Sequence, residues 1–548
     1  MAQATTPAPA EPSGPMDSRT RWTIYWLLIV CSVAVMAGRL WQTHKLSYDR
    51  PVPFLSANDR SRWCTIRALG DHDTYTLDLV LQAKNGRSWD TIDKVMHWGR
   101  DSQPHFYSSK PTLLPTLLTW PYLGIKALTG WNLADNTFDV VRWMLLICQI
   151  FPLIIFFWVV GRIGDLVAES DWTRVFLMGC ATFGTCITTF AITLNNHVPT
   201  VICVSLATLM LIRIWKGDTR HWAAWCLTGL TAALAAAFDL PASSFLAVAF
   251  ALCLWRNPLY AVTGFVPPVL LVTAGFFATN YTAHHDWTPP YAHRGDGAVL
   301  TTISGTFAEP LGQGRLPADL ASAVRSVRPD LPPDWQKTIR IVPGQWPDSG
   351  TPRTTRWLLY FDSSRPPLVL AHVSGQPETE IRRWNNWYEY PGSYWSSGTG
   401  EKSPIDQGEQ EPLVYLLNMT FWHHGVFLLS PIWILSLAGI PWLCVSRQYG
   451  LRVLGIAILV ISVVLVAFYV TRPLEDRNYG GLCCSPRWLF WLAPLWLVAM
   501  IPAVDRLQQS VPLRIVAIIL LFLSIASASY AWSNPWVHPW LYQWVAGT

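Results

Sequence analysis

Apolar runs long enough to cross a bilayer recur along this chain and leave it few choices of fold. About 20 such residues in helical form cover the roughly 30 Å of hydrocarbon in a membrane. Inside that medium every backbone donor and acceptor must be satisfied within the segment itself. Candidate spans fall at 23–42, 139–161, 174–194, 197–215, 221–238, 241–255, 258–279, 425–446, 451–471, 487–505 and 512–531. Only 14% of the 548 residues are charged and 51% are hydrophobic, where a soluble domain carries about a quarter charged. The 32 tryptophans, many at segment ends (Trp41, Trp143, Trp222, Trp255, Trp442, Trp532), suit two interfacial belts. The chain reads as an all-α polytopic membrane protein with about eleven spans.

Topology turns on Leu113–Leu128, which is apolar but short and broken by Pro115, Pro121 and Gly124. If it stays on the surface and the N-terminus is inside, the short inside loops hold Arg162 and Arg174; Arg213, Lys216 and Arg220; Arg256; Arg447 and Arg452; Arg506 and Arg514. The short outside loops at 195–196 and 239–240 then hold no Lys or Arg. That is the positive-inside bias, and a crossing at 113–128 reverses it. The segment is therefore expected to lie along the outer surface as a juxtamembrane helix.

The domain plan follows. Residues 1–20, rich in Pro, Ala, Thr and Ser, read as a disordered tail inside the cell. Residues 21–279 form an N-terminal transmembrane region that includes a first outside loop at 43–138, and residues 425–548 form a C-terminal one. Between them, 280–424 is an outside domain with some β structure, from runs such as Thr355–Phe361 and Pro367–His372. Asn280 and Asn418 match the glycosylation sequon, a short pattern that chance supplies often. The net charge of +5 is spread over loops rather than gathered into a stripe, which argues against nucleic acid. Eleven cysteines show no metal-type spacing. Most act as small hydrophobes in apolar segments, and adjacent Cys483 and Cys484 read as packing, since a bond between neighbours is strained.

Three clusters can carry chemistry. Asp59 and Arg62 fall one turn apart at the start of a helix lying on a surface, with Trp63, Ile66 and Leu69 at i, i+3 spacing. A helix cap with an ion pair explains the same spacing. Lys110 precedes Pro111 at the start of the next helix, where added positive charge is unfavourable unless an anion binds. A lysine reaching for lipid headgroups is the plainer account. The third cluster is Arg472, Arg477 and Arg487 in one outside loop, against the topology bias, with Arg487 opening a helix after Pro486; an interfacial anchor competes. Asn195-Asn196-His197 sits in a tight outside connector where Asn196 and His197 can hydrogen-bond a sugar. His423-His424 begin a span and can face the same site. Asp71-His72-Asp73 reads as a turn more than a metal site, and Asp78, Asp90 and Asp93 as solvated loop carboxylates.

Asp59-Arg60-Ser61-Arg62-Trp63, then Lys110-Pro111-Thr112-Leu113 and Gly130, then Tyr479-Gly480-Gly481 with Ser485-Pro486-Arg487-Trp488, together resemble the GT-C superfamily of polyprenyl-phosphate-dependent glycosyltransferases. Bacterial lipid A aminoarabinose transferases and protein O-mannosyltransferase-like proteins are the relatives suggested. Arg60 stands where a second acid is common, and Thr112 where a second Pro is usual.

The resemblance implies a GT-C-like fold and transfer of a sugar from a polyprenyl-phosphate donor to a lipid, glycan or protein acceptor, with inversion, at the periplasmic face of a bacterial inner membrane. It implies Asp59 as general base. Arg62, Lys110 and Arg487 would hold the departing phosphate, with Tyr107, Arg477, Asn196 and His197 in the substrate-binding set. No metal or other cofactor is expected, as no ligand set is convincing. A lipid-sugar flippase or an inactive scaffold of the same fold are the competing readings. On this assignment Asp59→Asn should abolish sugar transfer in membranes supplied with lipid-linked sugar, and retained turnover would reject the assigned base.

Overall fold

A computed structural model describes residues 16–47, 50–219, 221–344, 354–362, 364–373, 375–396 and 404–547. The expected tail lies, up to residue 15, outside the described residues. The chain is mostly helical. Among the described residues, seven helices are long and apolar enough to cross a membrane: Ser18–Gln42, Thr137–Val167, His197–Lys216, Pro258–His284, Tyr449–Val470, Arg487–Leu507 and Val511–Tyr530. Three shorter apolar helices, Trp222–Phe238, Leu240–Arg256 and Trp433–Cys444, pack among them.

Two of the expected spans are not single helices. The 174–194 segment is a helix at Asp171–Phe183, a break capped by Gly184, and one further turn at Ile187–Phe190. The 425–446 segment is one turn at Val426–Leu429 followed by Trp433–Cys444, with Pro431 in the gap. Hydropathy finds the apolar mass of such segments but does not register where a cap or a proline interrupts the hydrogen-bond ladder.

Ion pairs gather one end of the bundle. Arg21 binds Asp165 at 2.9 Å and Asp171 at 3.1 Å. Asp505 accepts from the Glu169 amide and the Ser170 hydroxyl. The first helix ends at the opposite pole, where Arg39 donates to the carbonyls of Trp532 and Ala531. The first loop starts there with helix Ala57–His72, which packs on helix Leu113–Thr129. The second of these buries Leu113, Leu114, Pro115, Thr119, Tyr122 and Ile125 on one side and leaves Trp120 and Leu128 exposed on the other.

Asp71 fastens the two helices together. Its carboxylate accepts from Tyr122 Oη at 2.6 Å and Lys126 Nζ at 2.8 Å. Gly70 makes the approach possible, because a Cβ there would lie 2.4 Å from the Tyr122 ring.

The 280–424 region carries a five-stranded antiparallel sheet in the order Val299–Ser304, Glu378–Arg383, Leu368–Val373, Thr354–Tyr360, Arg340–Pro343. Both expected β runs are strands of it. Its two faces are covered differently. Leu359, Leu370 and Ile381 pack beneath Leu320, Val324 and Trp335 of its own helices. Leu358 and Val369 instead meet Val95 and Tyr107 of the first loop. Burial on both faces explains why these strands read as continuous apolar runs rather than alternating ones.

Arg356, 3% exposed, spans Asp296 and Glu389 with both nitrogen edges of its guanidinium. The two carboxylates hold its proton more firmly than usual, against the cost of burial. Removing the cation strands two enclosed carboxylates, so Arg356→Met should destabilise the sheet domain by roughly 3–5 kcal/mol. Limited proteolysis of the purified protein should then show new cleavage confined to 280–424.

Candidate functional site

Helix Ala57–His72 begins with a complete capping box. Ser56 Oγ accepts from the Asp59 amide, and the Asp59 carboxylate accepts from the Ser56 amide at 3.0 Å. Asp59 also accepts from the Leu55 amide at 2.9 Å and from Thr193 Oγ1 at 2.7 Å. At 1% exposure both its oxygens are occupied. Burial pushes its carboxyl above the usual range, opposed by the Thr193 hydroxyl and the two amides. The cap account of Asp59 is the one realised in the geometry.

One turn later Arg62 points across to a different element. It donates to the Asn58 carbonyl and side-chain oxygen, and through Nη2 to Asn196 Oδ1 at 2.7 Å. It makes no ion pair among the described residues, so the (i, i+3) pair with Asp59 expected from spacing is not formed. Burial and the neighbouring Arg487 bring its pKa down to about 10.

Arg487 arrives from the far end of the chain. Its Nε and Nη2 donate to the Gly480 carbonyl, and its guanidinium lies 4.9 Å from the Trp536 ring centre. Gly480 sits at φ 90°, a conformation that favours glycine. Arg487 Nη1 is 3.0 Å from His197 Nε2, and His197 Nδ1 is 2.7 Å from Asp239 Oδ2. Because a guanidinium only donates, Nε2 must accept, and His197 is held as the neutral Nδ1–H tautomer directed at Asp239.

Lys110 completes the group. Its Nζ pairs with Asp93 Oδ2 at 3.0 Å. Ser61 ties the two first-loop elements together, donating to the Asp93 carbonyl at 2.5 Å and lying 2.7 Å from Ser108 Oγ. Burial lowers the Lys110 pKa; Asp93 opposes this, while Arg62 and Arg487 add to it. The three cations therefore lie within electrostatic reach of one another. The connector Thr193–His197 meets Asp59, Arg62 and Arg487 in turn. Gln149, in a five-residue π-helical widening of helix Thr137–Val167, braces that connector through the Thr193 carbonyl and Asn195.

Other expectations fare differently. Tyr107 is not at the site. It is stacked on His97, ring centres 4.1 Å apart, inside the core shared with the sheet, because its strand turns that side chain toward Leu358 and Val369. Arg477 shares no contact with the three cations; its Nε and Nη1 are enclosed without hydrogen-bond partners among the described residues. His423 and His424 pack against Tyr479 and Tyr542.

The solvated-carboxylate reading fails for Asp78 and Asp93. Asp78 accepts from the Phe106 amide and pairs with His105, and Asp93 is 8% exposed. Asp90 pairs with Lys94 and stays half-exposed. Asn280, at 1% exposure, donates to the Asp286 and Thr288 carbonyls and is closed to modification. Among the described residues no group of three His, Cys, Asp or Glu could hold a metal. Asp93, Asp239, Thr193 and Gln149 were missed as site residues. Only Asp239 left a signal, as a lone acid at a span end.

Comparison with protein-family models, with characterised proteins and with solved structures returns no match. The site therefore speaks through its own chemistry. Lys110 carries its charge below its depressed pKa and loses it above. Any anion held by Lys110 should thus lose affinity on the alkaline side at a lower pH than an ordinary lysine would give. Lys110→Arg should flatten that fall in a titration of binding against pH.

Proposed function

We propose that this chain is a membrane glycosyltransferase that moves a sugar from a polyprenyl-phosphate donor to a lipid, glycan or protein acceptor, at the outer face of a bacterial inner membrane. One observation supports it above the others. Arg62 and Arg487 are buried guanidiniums whose hydrogen bonds go to neutral acceptors, without an ion pair among the described residues. Asp59, Asp93 and Asp239 lie within electrostatic reach of Arg62, but among the described residues none forms an ion pair with it. Enclosed charge without a direct partner is costly, and a phosphate bound between the two arginines and Lys110 would supply one.

The chemistry follows from that placement. The acceptor oxygen attacks the anomeric carbon on the side opposite the phosphate, so the centre inverts. The carbon–oxygen bond to phosphate breaks, and the leaving oxygen keeps the electron pair. Arg62, Arg487 and Lys110 stabilise the charge that develops there, and a carboxylate beside them takes the acceptor proton.

A gap of about 20 Å³ lies beside Ser485 and Pro486, lined by Cys186, Ile187, Ser430, Trp433, Leu489 and Phe490, with room for about one water. A lipid tail would have to part these side chains or lie along the outside of the bundle. A GT-C-like arrangement with about eleven spans and the periplasmic placement belong to the same proposal. A flippase would need charge near mid-membrane, whereas these cations sit together at one pole of the bundle.

The test is binding of a polyprenyl phosphate to the purified protein in nanodiscs. Arg62→Ala and Arg487→Ala should each weaken it roughly tenfold or more, the loss of one charge-assisted contact. A double variant that binds as tightly as the parent would end the proposal.

A further inference from the structure

We infer that Asp93, rather than Asp59, is the general base that receives the acceptor's proton, an assignment that rests on the glycosyltransfer reading above. The two carboxylates differ in what their oxygens already do. Asp59 spends both on the cap of its own helix and on Thr193, so taking a proton would cost it a hydrogen bond that holds the first loop together. Asp93 uses Oδ2 on Lys110, and Oδ1 has no hydrogen-bond partner among the described residues. Its side chain keeps 12% exposure against 1% for Asp59 as a whole. A base needs one accessible oxygen held in a fixed orientation, and Asp93 has it.

The backbone around Asp93 is rigid for the same purpose. Its amide donates to Thr91 Oγ1, and its carbonyl accepts from Ser61 Oγ and the Ser109 amide. Lys110 then sits between the base and the proposed phosphate, touching the first and reaching the second.

The sheet domain closes over this point. Trp387 O accepts from the Met96 amide at 2.9 Å, and Trp395 Nε1 donates to the Ile92 carbonyl at 2.9 Å. The Arg294 guanidinium lies over the Tyr388 ring, 4.8 Å from its centre, and both residues lie within electrostatic reach of Asp93. An acceptor hydroxyl that reaches Asp93 Oδ1 must therefore pass beneath the second outside domain. Its proton goes to Oδ1 as its oxygen bonds to the anomeric carbon, and the polyprenyl phosphate departs with the electrons of the broken bond.

The experiment compares Asp93→Asn, Asp93→Glu and Asp59→Asn in the full-length protein. A radiolabelled polyprenyl-phosphate sugar is supplied in membranes that contain the acceptor. Release of polyprenyl phosphate and label in product are followed, with polyprenyl-phosphate binding and melting temperature as controls. Asp93→Asn should lose transfer by at least about a hundredfold while binding polyprenyl phosphate within about threefold of the parent. Asp93→Glu, which can still meet Lys110, should recover part of the rate. Asp59→Asn should chiefly lower the melting temperature, and its rate per folded molecule should fall less than that of Asp93→Asn.

Wild-type transfer that survives in Asp93→Asn, or a greater loss in Asp59→Asn at unchanged melting temperature, would overturn the assignment and leave the glycosyltransferase reading in place. Absence of transfer by the wild-type protein itself would instead overturn that reading, and the assignment with it.

Discussion

Five consecutive residues, Thr193 to His197, hold one pole of this protein together. They join two helices of the bundle, and in that short stretch Thr193 meets Asp59, Asn196 meets Arg62, and His197 meets both Arg487 and Asp239. Groups separated by more than 400 positions in the chain, from Asp59 to Arg487, thereby share one neighbourhood. The connector can do this because its own backbone is braced from behind by Gln149, which serves both the Thr193 carbonyl and Asn195. The widened helical turn at Leu146–Ile150 carries that glutamine. A regular turn there would alter the phase of the residues that follow it.

Two kinds of buried arginine show what the fold does with charge. Arg356 is fully neutralised by Asp296 and Glu389; it is part of a domain's internal frame. Arg62 and Arg487 are equally enclosed, yet they lean on amide and carbonyl oxygens and an imidazole. Neutral acceptors satisfy hydrogen-bond geometry while leaving most of the charge uncompensated. The same desolvation that makes this costly strengthens any interaction with an incoming anion. Placing two such cations together, beside a third that Asp93 already pairs, is a structural expense that a phosphate ligand would offset.

The sheet domain is not an independent cap. One face of its sheet uses the first loop as its core, through Val95 and Tyr107, and its later segments bond to the backbone on both sides of Asp93, at Ile92 and Met96. This is why Tyr107, placed beside Lys110 in the sequence, ends in a hydrophobic cluster. In a strand, successive side chains face opposite ways, and Tyr107 takes the side that meets the sheet. Proximity along the chain carried no information about that choice.

Much was legible without coordinates. Apolar length and local period identified the helical bundle and the β runs of the second loop, because those properties follow from local hydropathy and period. The pairing of Arg62 with Asn196, of Arg487 with His197 and of Lys110 with Asp93 was not legible, and neither was the saturation of Asp59. Which carboxylate keeps an open oxygen depends on what packs against it from distant segments, and no local pattern encodes that. The sequence by itself determined that charge collects at the ends of an apolar bundle, since charged residues are excluded from its interior. Only the tertiary structure decided which charges meet there, because their partners are set by long-range packing around Thr193–His197.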